Sequence, residues 1–122
     1  MRPLLASVLL SLPLALPATA ALAHAELEKA DPPAGGTVAA SPGEIRLDFS
    51  EGVEPALSGI VLTDAAGKKV AAGKPATAPK KASELVVPLP HPLAAGAYTV
   101  KWHAVAVDSH KTQGTFTFTV KP

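Results

Sequence analysis

Cysteine is absent from this 122-residue chain, and methionine occurs only as Met1. Without thiols there are no disulfides, thiolate zinc sites, iron–sulfur clusters, cysteine nucleophiles or cysteine-ligated blue-copper sites. Any metal has to be held by histidine, carboxylates or backbone groups, and once the first residue is removed no thioether remains for a soft copper(I) site. Arginine is limited to Arg2 and Arg46 and the aromatics to three Phe, one Trp and one Tyr, so there is no basic, aromatic surface of the kind that holds nucleic acid. No apolar run is long enough to span a bilayer, which takes roughly 20 residues; the stretch from Leu4 to Leu16 is shorter and is interrupted at Pro13. Gly35-Gly36 is not part of a Gly-Lys-Ser/Thr phosphate loop, and no serine stands in a nucleophile-elbow pattern.

What is present at the start reads as an export signal. Met1 and Arg2 supply a positive end, Leu4 to Leu16 an apolar segment, and Ala21-Leu22-Ala23 a small-x-small cleavage site. Cleavage there divides the chain into a leader, 1–23, and a single mature domain, 24–122, that begins at His24 and inserts in no membrane. Such a domain is large enough to fold without a metal or disulfide staple. It carries ten Lys and Arg against ten Asp and Glu, but unevenly: residues 24–64 are net −6 and residues 65–122 net +6. Strands from the two halves of a chain interleave in most folds, so little surface polarity is expected from this division.

The mature sequence alternates in the manner of β-strands, and Pro or Gly punctuates it too often for long helices. Ile45, Leu47 and Phe49 point one way and Arg46, Asp48 and Ser50 the other; Phe116, Phe118 and Val120 alternate with Thr115, Thr117 and Thr119. Ile60-Val61-Leu62, an edge candidate at Val70-Ala71, Leu85-Val86-Val87, and Tyr98-Val100-Trp102 alternating with Thr99-Lys101-His103 add further strands, with a hairpin turn at Asp64-Ala65-Ala66-Gly67. With a first strand near Ala25 to Ala30, the spacing predicts an all-β, Greek-key sandwich or barrel of about seven strands. Residues 72–82 lack large apolar groups and are expected to form an exposed loop. Pro88 to Pro92, three of whose five residues lack an N–H, is expected to connect or edge the sheets.

Histidine carries the candidate chemistry. At a new chain start His24 offers an α-amine and an imidazole, which close a six-membered chelate ring on a metal; the amine, with an ordinary pKa near about 7.7 to 8.0, gives up its proton far more readily than a lysine. The plainer alternative is a surface histidine that happens to follow the cleavage site. In Asp108-Ser109-His110, an extended backbone would project both end residues from one face with Cα atoms about 7 Å apart. The alternative there is a loop in which Asp108 caps a turn and His110 is solvated. Amine, two imidazoles and one carboxylate together make an N3O set, which suits the tetragonal preference of Cu(II); zinc favours a tetrahedron. His103 shares a polar strand face with Thr99 and Lys101 and is expected to ligate nothing directly, as is His91 between its prolines.

The mature start His24-Ala25-Glu26-Leu27, Asp31-Pro32-Pro33-Ala34-Gly35-Gly36, Ile45 to Glu51, Gly96 to Trp102, Asp108-Ser109-His110 and Gly114 to Val120 resemble, in order and spacing, the CopC family of exported bacterial copper-binding proteins. The resemblance spans essentially the whole mature chain and is specific chiefly because the N-terminal histidine and the Asp-x-His motif occur together. It implies an Ig-like or cupredoxin-like sandwich with one Cu(II) ion held by His24, in a histidine-brace arrangement, and by Asp108 and His110. Glu51 matches a family glutamate near the metal, an axial ligand or a group just beyond the ligands; a plain exposed carboxylate at a strand end is the alternative. A CopD-type inner-membrane copper transporter is the implied partner. Some members also hold Cu(I) in a methionine-rich loop, which this chain lacks.

The resulting expectation is a monomeric periplasmic Cu(II) carrier or buffer in copper resistance or homeostasis, not an enzyme. Two other classes remain distinct from it. A copper oxidase or polysaccharide monooxygenase would use the same brace but needs an open in-plane position, which Asp108 fills here. A metal-free Ig-like interaction module would leave the histidine at the cleavage site without a role.

Overall fold

The period-2 segments fold as the alternation requires. The computed structural model describes residues 25–122 together with Ser11 and Pro13. The expected cleavage site and His24 lie outside the described residues. Nine strands are formed among them: β1 (Leu27–Asp31), β2 (Thr37–Val38), β3 (Glu44–Phe49), β4 (Gly59–Asp64), β5 (Lys69–Val70), β6 (Ala76–Ala78), β7 (Lys81–Pro88), β8 (Gly96–Val105) and β9 (Lys111–Val120), with one 3-10 turn at Pro55–Leu57. They make a four-stranded sheet in the order β1-β3-β7-β6 and a five-stranded sheet in the order β2-β9-β8-β4-β5. All pairings are antiparallel except β2 with β9. No helix among the described residues is long and apolar enough to cross a membrane.

The core lies between the sheets. Ile45, Leu47, Leu85 and Val87 from one sheet and Leu62, Val100 and Phe118 from the other are fully buried, each such side chain contributing about 1.5–3 kcal/mol by leaving water. Tyr98 stacks on Phe118 with ring centroids 5.5 Å apart and donates its hydroxyl to the Ala94 carbonyl at 2.6 Å. Trp102 is half-buried and meets Phe49 edge-on at 5.4 Å. The Asp64–Gly67 turn forms as expected: the Gly67 N–H reaches the Asp64 carbonyl, and the Asp64 carboxylate accepts the N–H groups of Ala66 and Lys68.

Residues 72–82 correct the sequence reading. Ala76 and Thr77 pair with Val86 and Leu85, so the expected loop contains an edge strand and the start of β7. An edge strand needs backbone pairing on one side only, and Ala-Thr-Ala has no large side chain to reveal its period. The strands beyond the expected seven are short pieces of this kind, β2 included.

Gly114, the β9 partner of Trp102, leaves room for the indole. A Cβ there would stand 2.5 Å from Trp102 Cζ2. Gly114→Ala is therefore expected to destabilise the domain by about 1–3 kcal/mol through overpacking and to shift Trp102 emission, both readable in one fluorescence-monitored denaturation.

Candidate metal centre

Three separate stretches of chain meet at one end of the sandwich. The β8–β9 connection is closed by the Ala106 N–H on the His110 carbonyl and the Ser109 N–H on the Ala106 carbonyl, each at 2.8 Å. The segment after β3 runs beside it: Val53 bridges Ala106, the Val107 N–H donates to the Gly52 carbonyl, and the Glu54 N–H to the Val105 carbonyl. The start of the domain completes the set. Ala25 is fully buried, its carbonyl accepts the Thr112 hydroxyl at 2.7 Å, and Glu26 and Ser50 exchange two hydrogen bonds.

Within this arrangement Asp108-Ser109-His110 is a tight turn capped by Asp108 with His110 exposed, the loop alternative of the sequence and not the extended one. Ser109 has φ +76°, a left-handed conformation that costs an L-residue about 1–2 kcal/mol. The turn is held by the Asp108 carboxylate, whose Oδ1 accepts the His110 N–H at 3.1 Å. Its Oδ2 lies 3.0 Å from His110 Nδ1. The turn, not an extended strand, brings the two side chains together. Both residues are exposed, and the His110 ring, followed by its backbone N–H, holds the Asp108 carboxyl below the usual carboxylate range. At neutral pH the carboxylate is therefore ionised and able to meet a cation.

Glu51 stands in the chain between Ser50, bonded to Glu26, and Gly52, bonded to Val107. Its Oε1 is buried without a hydrogen-bond partner among the described residues. That orphaned oxygen fits a site completed by something else, since a buried acceptor left unpaired costs about 1–3 kcal/mol. His103 projects from the outer face of β8 opposite Gln113, and His91 lies in the exposed connection after β7. Among the described residues no group of three or more His, Asp or Glu is placed to hold a metal. Asp108 and His110 supply two donors; the remaining expected ligand, His24, lies outside the described residues.

The anchors Ala25, Ser50 and Thr112 were missed by sequence reasoning. Ser50 and Thr112 look like ordinary strand hydroxyls, and the Thr112 bond joins residues 87 positions apart.

A model of the CopC domain matches residues 27–121. The chain belongs to the CopC family. Among its relatives, Protein YobA of Escherichia coli (strain K12) is 44% identical over 104 residues, covering 81% of this chain and 80% of that protein. Copper resistance protein C of Escherichia coli is 40% identical over 110 residues, covering 85% and 86%. The crystal structure of CopC from Methylosinus trichosporium OB3b superposes with a TM-score of 0.75 at 40% identity, covering 81% of this chain and 95% of that one. The CopC match thus takes in both sheets and the Asp108–His110 turn.

Proposed function

We propose that this CopC protein is an exported carrier or buffer that binds one Cu(II) ion and catalyses no reaction. In this reading residues 1–23 are removed as a leader, the mature protein occupies the periplasm as a monomer, and the ion is cargo. A link to copper is supported by the 40%-identical relative, a copper resistance protein. The observation that carries the site is the pairing of Asp108 Oδ2 with His110 Nδ1 at 3.0 Å. Two donors each about 2.0–2.1 Å from one ion at adjacent corners of a square lie about 2.9 Å apart, so the two atoms already stand at a spacing suited to neighbouring ligands.

The other in-plane donors are the α-amine and imidazole of His24. Ala25, the residue bonded to it, is anchored to Thr112, two positions beyond His110, which supports delivery of the chain start to the same end of the domain. Glu51 is the candidate axial or supporting carboxylate. The left-handed Ser109 supports the assignment because local strain concentrates where a site demands a geometry. Imidazole and carboxylate donors without any thioether favour Cu(II) over Cu(I), and a CopD-type membrane transporter is the proposed exchange partner.

Copper titration of the processed protein with paramagnetic resonance tests this. An axial, tetragonal signal at one equivalent with couplings to several nitrogens is expected. A tetrahedral signal, or the absence of stoichiometric binding, contradicts it.

A further inference from the structure

The two outer faces of the sandwich carry unlike charge. On the four-stranded sheet the charges largely pair among themselves: Arg46 with Glu44 and Glu84, and Lys81 with Asp48 at 3.0 Å. The five-stranded sheet differs. Its register places Lys101 between Thr115 and Val61, Lys111 opposite Val105, and Lys69 opposite Thr63, and Lys121 follows β9 in the same alternation. All four lysines are exposed, none forms an ion pair among the described residues, and no outward position of this sheet is acidic. The neighbouring acids lie at its borders, where Asp64 caps its turn, Asp108 is bonded to His110, and Glu54 precedes the 3-10 turn. The uneven charge of the two chain halves thus survives folding, contrary to the sequence expectation, because β8 and β9 come from the basic half.

We infer that this face docks reversibly on an anionic phospholipid surface through Lys69, Lys101, Lys111 and Lys121. Packed sheets lie about 10 Å apart, and with side chains added the carboxylates of the four-stranded sheet are more than a Debye length of about 8–10 Å away, so they do not cancel the attraction. Each lysine at such a surface strengthens binding about fivefold, and four give a several-hundredfold preference over neutral lipid. That is weak enough for the protein to leave again. An acidic protein partner fits less well. The charges are spread among threonines across the sheet, and the face carries no aromatic or arginine anchor of the kind that dominates protein interfaces, Trp102 being turned inward. The periplasmic setting rests on the proposed function; the lipid affinity is independent of the copper ligands.

The test is cosedimentation of the processed protein with phosphatidylcholine vesicles containing or lacking phosphatidylglycerol, at low and high salt. Binding is expected only with the anionic vesicles and only at low salt. Lys69→Glu/Lys101→Glu/Lys111→Glu should weaken it at least about a hundredfold. Lys29→Glu/Lys74→Glu/Lys80→Glu changes the net charge equally but off this face, and should retain most of the binding. Copper titration and circular dichroism of both variants should match the parent, separating loss of the face from loss of the metal site or the fold. Absence of anionic-vesicle binding, as expected if an acidic protein is the true occupant, overturns the inference. So does equal loss in both triple variants.

Discussion

Replacing His110 by alanine is expected to lower the Cu(II) affinity of the processed protein by more than about a hundredfold while leaving its unfolding midpoint almost unchanged. The two halves of this expectation have separate causes. Loss of a group that merely supports a ligand typically reduces metal affinity 10–100-fold, so loss of a ligand should exceed that, and a hundredfold corresponds to about 2.7 kcal/mol. Alanine keeps the backbone N–H that closes the Ser109 turn on Asp108, and the side-chain pair it removes is exposed on both sides, a kind of contact worth only about 0–1 kcal/mol. Asp108→Asn separates the carboxylate's two tasks. Asparagine keeps an oxygen that can accept the His110 N–H, so the turn should persist, but it removes the negative charge and should weaken copper binding by about 10–100-fold. Competition titration against a calibrated chelator measures both variants. Parent-like affinity in His110→Ala contradicts the assigned site.

How much of this was readable in the residues depended on whether the deciding forces were local. The central strands were legible because burial on one face writes a period of two: Ile45, Leu47 and Phe49 are buried, as are Phe116, Phe118 and Val120. β6 was not, because Ala-Thr-Ala at a sheet edge buries little and is specified by the backbone groups of β7. At the site, the residue types were legible, and the capped turn was one of two geometries the sequence left open, with nothing local to decide between them. Asp108 and His110 were picked out by chemistry, yet they meet through the positive φ of Ser109, and serine gives no warning of a left-handed turn as glycine or asparagine would. The Thr112 bond to Ala25 joins residues 87 positions apart in the chain, a relation that only the assembled sheets create. Charge polarity failed in sequence for a related reason, since it depends on which strands share a sheet.

The most direct test of the account concerns the chain start. Ala25 is buried and tied to Thr112, and Glu26 to Ser50, so one glycine added before His24 leaves every described contact of the domain in place. It converts the α-amine, whose proton is readily released, into a peptide nitrogen, and breaks the six-membered chelate ring with the imidazole. The decisive measurement is the Cu(II) affinity of the processed protein, its N-terminus confirmed by sequencing, beside that of the glycine-extended form. A loss of at least about a hundredfold is expected in the extended form, with an unchanged melting temperature. Equal affinity of the two forms, or processing at a residue other than His24, would contradict it.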